Sequence, residues 1–450
     1  MKIRRILSAF LLTVLLTSLA LVPTAYAIPS INIKAKASLL VDAESGMVLH
    51  AQHEHDKLFP ASITKVMTAL LVFEAIDRGE MTLDQPVTAS VSAVSGLDED
   101  GSSADIKAGE TMTVEQLLYC MLVVSANEAC HILGEQVAGS VDAFVEQMNQ
   151  RAEELGCDNT HFVNPSGLHD PKHYTSAWDI YLFTREAMKY EDFMTICGTK
   201  AYIVPATNKS ESRELHSTNY LISNWRALGY LYDGAEGIKT GSTSDAGHCL
   251  VASAVRDSRR LISVVLGADV VGETVQSFTE TSRLFDYGFN NYSTQVVLEE
   301  DEMICEVPVA LSKESSCVVV HPERTAEVLL PNDAKLEDLE RRVTLAHDVA
   351  NAPIAVGDEL GTITISYKGT DCISVPLLAQ YDVSASRFLT AKYNVKMFFS
   401  HTAVKISLVV IVLLAVGLFF WWRLFYRDRR YGSRRKKRYR HHSYRGRWRR

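Results

Sequence analysis

Phe59-Pro60-Ala61-Ser62-Ile63-Thr64-Lys65-Val66-Met67-Thr68-Ala69-Leu70-Leu71-Val72-Phe73-Glu74-Ala75-Ile76 is the stretch on which the reading of this chain turns. A serine and a lysine three residues apart run into an apolar segment with helical spacing, which places Ser62 in the first turn of a helix. Backbone N–H groups are free at that end, and the helix dipole favours developing negative charge. Lys65 lies one turn further on the same face, and the following turns are apolar almost all round. A lysine in that setting is desolvated, which favours its neutral amine. A serine hydroxyl needs such a base to act as a nucleophile near neutral pH. The plain alternative is a helix-capping serine beside a solvated lysine, since Ser433 to Lys436 repeats the spacing within a basic tail.

Two further segments follow in fixed order. Ser125-Ala126-Asn127 comes after an apolar helix predicted over Val114 to Val124, in a turn that offers a hydroxyl and an amide. Ser-x-Asn also begins at Ser30 and Ser217, so by itself it reads equally as a loop capping the next helix. Lys239-Thr240-Gly241 occurs once and continues a predicted edge strand, Glu236-Gly237-Ile238. A strand ending this way can pair with an extended peptide and bind its terminal carboxylate, and Gly241 lets the partner's backbone approach closely. An exposed Lys-Thr-Gly turn is the bland counterpart. In this order the three segments resemble the motif set of active-site serine enzymes that attack D-Ala-D-Ala peptides and β-lactams.

The two ends of the chain bear on location. Residues 1–27 carry Lys2, Arg4 and Arg5, an apolar run from Ile6 to Val22, and Ala25-Tyr26-Ala27, which reads as an export signal with its cleavage site. Ile406 to Trp422 is an apolar run with Ser407 as its one polar member, bracketed by Lys405 and Arg423. As a helix it spans about 25 Å, which flanking cations can extend to a hydrocarbon core. From Arg423 onward the chain holds 14 Lys or Arg against Asp428. Positive residues stay in the cytoplasm, so residues between Ile28 and Lys405 are expected outside the cell membrane, on the wall-facing side, behind a single C-terminal anchor.

That division resolves the formal charge of −8: the signal contributes +3 and the tail +13, leaving −24 in residues 28–422. The Arg-rich tail is read as a topology and lipid-attraction device, with no nucleic acid implied. An anionic substrate must then be held by local cations, because the overall field of the acidic part repels it. The eight cysteines are widely spaced, and no short-spaced Cys/His cluster suggests a metal. Cys305 and Cys317 are expected to be able to pair across a hairpin, and the others to be mostly buried thiols.

Between the ends there is room for two domains. In the first, about 33–292, Leu39 to Val41, Met47 to Leu49, Cys249 to Val251 and Leu261 to Leu266 read as strands. Met67 to Ile76, Val114 to Leu122 and Val141 to Leu155 read as helices. The expected architecture is an α/β layer, an antiparallel sheet closed by the two termini of the domain and flanked by helices. Residues 293–383, with strands at Gln295 to Leu298, Ala326 to Leu330, Val343 to Leu345 and Leu360 to Tyr367, are expected to form a small β sandwich. A stalk over 384–402, a transmembrane helix over 403–425 and a cytoplasmic tail over 426–450 complete the plan.

Over roughly residues 33–383 the chain resembles the exported low-molecular-weight penicillin-binding proteins, the serine-type D-alanyl-D-alanine carboxypeptidases. The resemblance rests on Phe59 to Lys65, Ser125 to Cys130, Thr160-His161-Phe162-Val163-Asn164-Pro165-Ser166-Gly167-Leu168, and Gly237 to Thr243. It implies the penicillin-binding, β-lactamase-like serine transpeptidase fold (α+β), with an appended all-β domain. It implies Ser62 as nucleophile, Lys65 as proton acceptor, Ser125 as proton relay to the departing amine, and Asn127 as the group positioning Lys65 and substrate. Lys239 and Thr240 would bind the terminal carboxylate, and the N–H groups of Ser62 and Ser242 would form the oxyanion hole. The implied partners are peptidoglycan stem peptides ending in D-Ala-D-Ala, with β-lactams as inhibitors and no cofactor. In the 164–179 loop, His169, Asp170, Ser176 and Asp179 are expected to order water or the cleft wall. Many relatives end in an amphipathic helix on the membrane surface, where this chain has a spanning helix and a basic tail.

A β-lactamase or transpeptidase with the same residues, and a non-catalytic wall-binding receptor, are the alternatives. No Glu stands out in the 164–179 loop as a deacylating base, which counts against a fast β-lactamase.

Overall fold

The computed structural model describes residues 31–95 and 101–435, and these divide into two compact units. The expected export signal and the tail beyond residue 435 lie outside the described residues.

The first unit is organised by a five-stranded antiparallel sheet. Its strands run in the order Val48–Gln52, Ala37–Asp42, Arg259–Ala268, Gly247–Arg256, Ala235–Thr243. The first and last parts of the unit thus share one sheet, as expected. Ala37–Asp42 is buried at every position and Arg259–Ala268 from Leu261 onward, because both are central strands covered on both faces. Register is fixed by apolar partners, with Leu39 opposite Val264 and Val251 opposite the same Val264 on its other side.

The pleat sends alternate side chains to two cores. Leu39, Val41, Val251 and Val264 pack into the larger core with the helices Lys65–Asp77, Val114–Val123 and Ala177–Ala187. Leu40, Leu250 and Val265 point the other way, against Phe278, Leu284, Phe285 and Phe289 of the helix Gln276–Asn291. That last helix was not among those expected from periodicity.

The helix Lys65–Asp77 buries every residue from Lys65 to Phe73, so its apolar circumference reflects a position inside the larger core. Val114–Val123 begins with a capping box between Thr113 and Gln116, and Val141–Glu154 is capped by the Ser140 hydroxyl.

The second unit is all-β in its folded part. Its main sheet has the strand order Leu339–Leu345, Glu359–Tyr367, Thr370–Ala379, Cys317–Pro322, Cys305–Ala310, Ala350–Asn351. Glu359–Tyr367 is a strand, as expected, and buries Ile363 and Ile365, but Thr364 and Ser366 are buried with them, so the expected apolar-in, polar-out alternation is not seen in its burial. The Cys305–Cys317 pairing is corrected here. The two residues do occupy adjacent antiparallel strands, but Cys305 faces Val320 while Cys317 faces Pro308. Three residues of offset along a strand is about 10 Å, beyond the reach of a disulfide, and both thiols are free.

Arg387–Ser400 is helical and is followed by the helix Thr402–Arg435. Within the latter, the segment Thr402–Phe425 holds an 18-residue stretch of mean hydropathy 2.7, none of it buried. Its 24 residues extend about 36 Å, long and apolar enough to cross a bilayer. Among the described residues it is the one helix with that property.

Candidate active site

Ser62 sits in a single 3-10 turn, Ala61–Thr64, that leads directly into the helix Lys65–Asp77. The tighter turn brings the side chains at positions 62 and 65 into line. Lys65 Nζ donates to Ser62 Oγ at 3.0 Å, to Asn127 Oδ1 at 2.8 Å and to the Ser166 carbonyl at 2.7 Å. Three acceptors match the three hydrogens of an ammonium. A neutral amine would keep two of these bonds and turn its lone pair to the Ser62 hydroxyl.

Lys65 is fully buried, and burial is the main force pulling its pKa below the usual lysine value, with Cys130 and Glu128 opposing it. The environment therefore favours the neutral amine of Lys65.

The Ser166 carbonyl reaches Lys65 because the loop 163–168 is clamped onto the turn from below. Thr68 Oγ1 donates to the Pro165 carbonyl at 2.7 Å, and Asn164 Oδ1 gathers the N–H groups of Ser166 and Gly167. A Cβ on Gly167 would lie 1.9 Å from the Ala61 carbonyl oxygen, at a φ of +84°. Only glycine admits that approach. His173, also buried, completes the clamp: its Nδ1 accepts from the Val163 N–H at 3.2 Å, leaving Nε2–H to bond Thr64 Oγ1 at 2.8 Å.

Ser125 follows the helix Val114–Val123 with φ at +68°, and Asn127 opens the next helix, Asn127–Ala138. The Asn127 N–H is held by the Ser102 carbonyl at 2.9 Å, which aims its side chain at Lys65. The Ser125 hydroxyl is buried and has no hydrogen-bond partner among the described residues. An unpaired buried hydroxyl is costly, so one left open beside a cleft is available to a ligand.

Lys239, Thr240 and Ser242 lie on the edge strand Ala235–Thr243. A Cβ on Gly241 would be 2.7 Å from the Pro60 carbonyl oxygen and 3.1 Å from the Ser62 nitrogen, so this strand runs directly against the Ser62 turn. The backbone at Ser62 and the backbone at Ser242 are thereby neighbours. Lys239 is 1 % exposed and donates to the Thr240 carbonyl at 3.0 Å. Burial, with the charge of Lys65 second, pulls it down to about 7. Thr240 Oγ1 is 2.7 Å from Thr218 Oγ1.

All three expected motifs thus converge in the first unit. The acidic and hydroxyl groups of the 164–179 loop do not join them. Ser176 caps the helix Ala177–Ala187, Asp179 accepts from the Asn159 N–H and the Thr160 hydroxyl, and Asp170 accepts from the Lys172 N–H. His169 packs edge-on against Phe59, 3.9 Å from Asp245. Ser176, Asp179 and Asp170 build the loop itself, while His169 reaches out of it to the segments that precede Ser62 and follow Ser242. The contributions of Ser166, His173 and Thr218 were missed, because a backbone carbonyl and side-chain contacts across 22 to 109 residues leave no local pattern.

Five cysteines are buried free thiols, as expected. Burial pushes Cys130 and Cys249 up to about 11 and Cys120 and Cys157 up to about 12, and raises Cys197 as well. They are protonated and inert at neutral pH. Among the described residues no group of His, Cys, Asp and Glu could hold a metal ion.

Residues 23–270 match the family model of D-alanyl-D-alanine carboxypeptidases, and residues 292–385 match that of the penicillin-binding protein 5 C-terminal domain. The chain is 32% identical to the D-alanyl-D-alanine carboxypeptidase DacF of Bacillus subtilis, over 86% of this chain and 96% of that protein. Penicillin-binding protein 5 of Haemophilus influenzae aligns with a TM-score of 0.63 and 30% identity, covering 80% of this chain and 100% of that one. Penicillin-binding protein D2 of Listeria monocytogenes, solved in a cefotaxime-bound form, aligns with a TM-score of 0.50 and 29% identity, over 58% of this chain and 99% of its own.

Proposed function

The chain belongs to the D-alanyl-D-alanine carboxypeptidase family, and on that premise we propose that it removes the terminal D-Ala from peptidoglycan pentapeptide stems through a Ser62 acyl-enzyme. The observation that carries this reading is the buried Lys65 amine, 3.0 Å from the Ser62 hydroxyl. A desolvated amine in contact with a hydroxyl is the arrangement that nucleophilic acyl transfer needs.

The stem peptide lies along the edge strand Ala235–Thr243, with its carboxylate on Lys239 and Thr240. Ser62 Oγ attacks the carbonyl of the penultimate D-Ala and passes its proton to Lys65. The tetrahedral oxyanion is held by the N–H groups of Ser62 and Ser242. The departing D-Ala amine takes a proton through Ser125, whose hydroxyl has no hydrogen-bond partner among the described residues. Asn127 keeps Lys65 in line through its 2.8 Å bond. Water then cleaves the ester and restores Ser62.

A β-lactam acylates the same serine and leaves slowly. The loop beside Lys65 offers backbone carbonyls, from Ser166 and Pro165, where rapid hydrolysis of that ester needs a carboxylate base. The span Thr402–Phe425 anchors the protein, and the Lys and Arg residues after it keep the C-terminus in the cytoplasm, leaving the catalytic unit beside the wall.

The test uses the full-length protein in detergent with labelled penicillin and, separately, an acyl peptide ending in D-Ala-D-Ala. A stable adduct on Ser62 and release of D-Ala are expected, both lost in Ser62→Ala. Release that survives in Ser62→Ala refutes the mechanism. Rapid turnover of penicillin points to a β-lactamase, and silence toward both compounds to a receptor.

A further inference from the structure

Next to Asn127 in the chain is a buried carboxylate. Glu128 is the second residue of the helix Asn127–Ala138 and is 3 % exposed. Lys65 makes its three bonds to Ser62, Asn127 and the Ser166 carbonyl, and none to Glu128. Burying a carboxylate is costly unless donors surround it. Glu128 Oε1 takes three donors from a single stretch of chain: the Ser103 hydroxyl at 2.8 Å, the Ala104 N–H at 2.7 Å and the Ile106 N–H at 3.4 Å. The stretch bends round this oxygen, with Asp105 at a φ of +55°. One residue before it, the Ser102 carbonyl accepts the Asn127 N–H at 2.9 Å. Two adjacent residues of the helix start therefore grip one segment, Asn127 through its backbone and Glu128 through its side chain. That grip fixes the base of Asn127, whose side chain holds Lys65 at 2.8 Å.

Charge is the second link between Glu128 and the reaction. The other ionisable groups that act on Lys65 or feel it are Cys130 and His131 on the same helix, Lys239 on the edge strand, and His173 beneath the Ser62 turn. Burial pushes Cys130 up to about 11 and His173 down to about 4, so both are neutral near pH 7. His131 is lowered by burial first and by Lys65 second. Among the described residues, Glu128 is then the one group of this set that can bring negative charge to the site at neutral pH. It opposes the pull of burial on Lys65.

We propose that Glu128 is a positioning residue for acylation, pinning Asn127 through the segment 102–106 and placing the one negative charge that faces Lys65. The inference rests on the reading of Lys65 as proton acceptor. In acylation the Ser62 proton moves to Lys65 Nζ as the Oγ–carbonyl bond forms. It then passes to the nitrogen whose bond to that carbonyl breaks. A carboxylate nearby favours the ammonium that appears midway, so it strengthens the base. Without it, Lys65 stays neutral further into acid but draws the serine proton less strongly.

The test measures the second-order rate of acylation by labelled penicillin from pH 5 to 8, with the full-length protein in detergent. Glu128→Gln keeps the acceptor oxygen and loses the charge, whereas Glu128→Ala loses both. In Glu128→Gln the fall in rate toward acid should move down by about half to one pH unit, with a plateau within about fivefold of the wild type. Glu128→Ala should show the same displacement with a plateau lower by a further factor of about ten, as Asn127 loosens its hold on Lys65. Near-UV circular dichroism reports whether each variant is folded, and Glu128→Gln carries the test if Glu128→Ala is not. A Glu128→Gln profile that coincides with the wild type overturns the charge assignment and leaves the carboxypeptidase standing. A folded Glu128→Ala protein with the plateau of Glu128→Gln overturns the pinning of Asn127. A wild-type rate with no fall toward acid overturns the reading of Lys65, and this inference with it.

Discussion

Replacing His173 with glutamine should flatten the dependence of stability on pH between about 6.5 and 5, and the structure supplies the magnitude. His173 is enclosed beneath the Ser62 turn, accepting from the Val163 N–H and bonding Thr64 Oγ1. Burial is the first cause that pulls it from 6.5 to about 4; the neighbouring His161 is second, Asp170 opposes, and Lys65 and His169 add to the shift. Because the folded value lies below the unfolded one, the unfolded chain binds more protons wherever the pH is under 6.5. Stability is thus whole above that pH and falls as the solution is acidified. The loss from this group alone is about 2 kcal/mol at pH 5 and about 3 kcal/mol once the pH passes below the folded value. Urea unfolding of the full-length protein and of His173→Gln, in detergent at stepped pH, measures it. The wild type should lose about 2 kcal/mol more than the variant between neutrality and pH 5. Parallel curves for the two proteins would falsify the assignment of a buried neutral imidazole here.

Three further outcomes follow from the geometry. Gly167→Ala places a Cβ 1.9 Å from the Ala61 carbonyl at positive φ. It should cost about 2–5 kcal/mol in a melting experiment and slow acylation by labelled penicillin, because the Ser166 carbonyl withdraws from Lys65. Lys239, held at about 7 by burial and Lys65, loses its charge as the pH rises through that value. KM for a peptide with a free carboxylate should therefore climb above neutrality, while penicillin-independent hydrolysis of the corresponding peptide amide shows no such climb; equal profiles would remove Lys239 from carboxylate binding. Finally, Cys120, Cys130, Cys157, Cys197 and Cys249 should resist iodoacetamide in the native protein at pH 8 and react in urea. Native labelling at Cys130 would contradict its burial beside Lys65.

The elements that could be read in advance are those whose signal is local. Ser62, Lys65 and the apolar turns after them announce a buried helix start, because burial of a whole helix requires apolar residues on every face. Lys239-Thr240-Gly241 could be placed on an edge strand because apolar and glycine residues around it fit a strand approached closely on one side. The alternation of Ile363 and Ile365 with threonines likewise marked a strand, though not the burial of Thr364 and Ser366 within it. What resisted was non-local. The residues at 276–291 form a helix covering the back of the sheet, a role visible only once Leu40, Leu250 and Val265 are known to face that way. Cys305 and Cys317 looked able to pair because their hairpin was legible, whereas its register was not.

The chain alone therefore determined which residues the site is built from: a serine and lysine one turn apart, a Ser-x-Asn turn, a Lys-Thr-Gly edge strand, and an apolar span with cations after it. Periodicity and spacing along the backbone encode these directly. Only the tertiary structure decided how Lys65 is held, since Asn127 lies 62 and Ser166 lies 101 positions away along the chain. It also showed that Ser176 caps a helix, that Asp179 bonds Asn159 and Thr160, and that Thr218 bonds Thr240. Those outcomes depend on which surfaces meet when the core closes, and packing of distant segments is not written in any one of them.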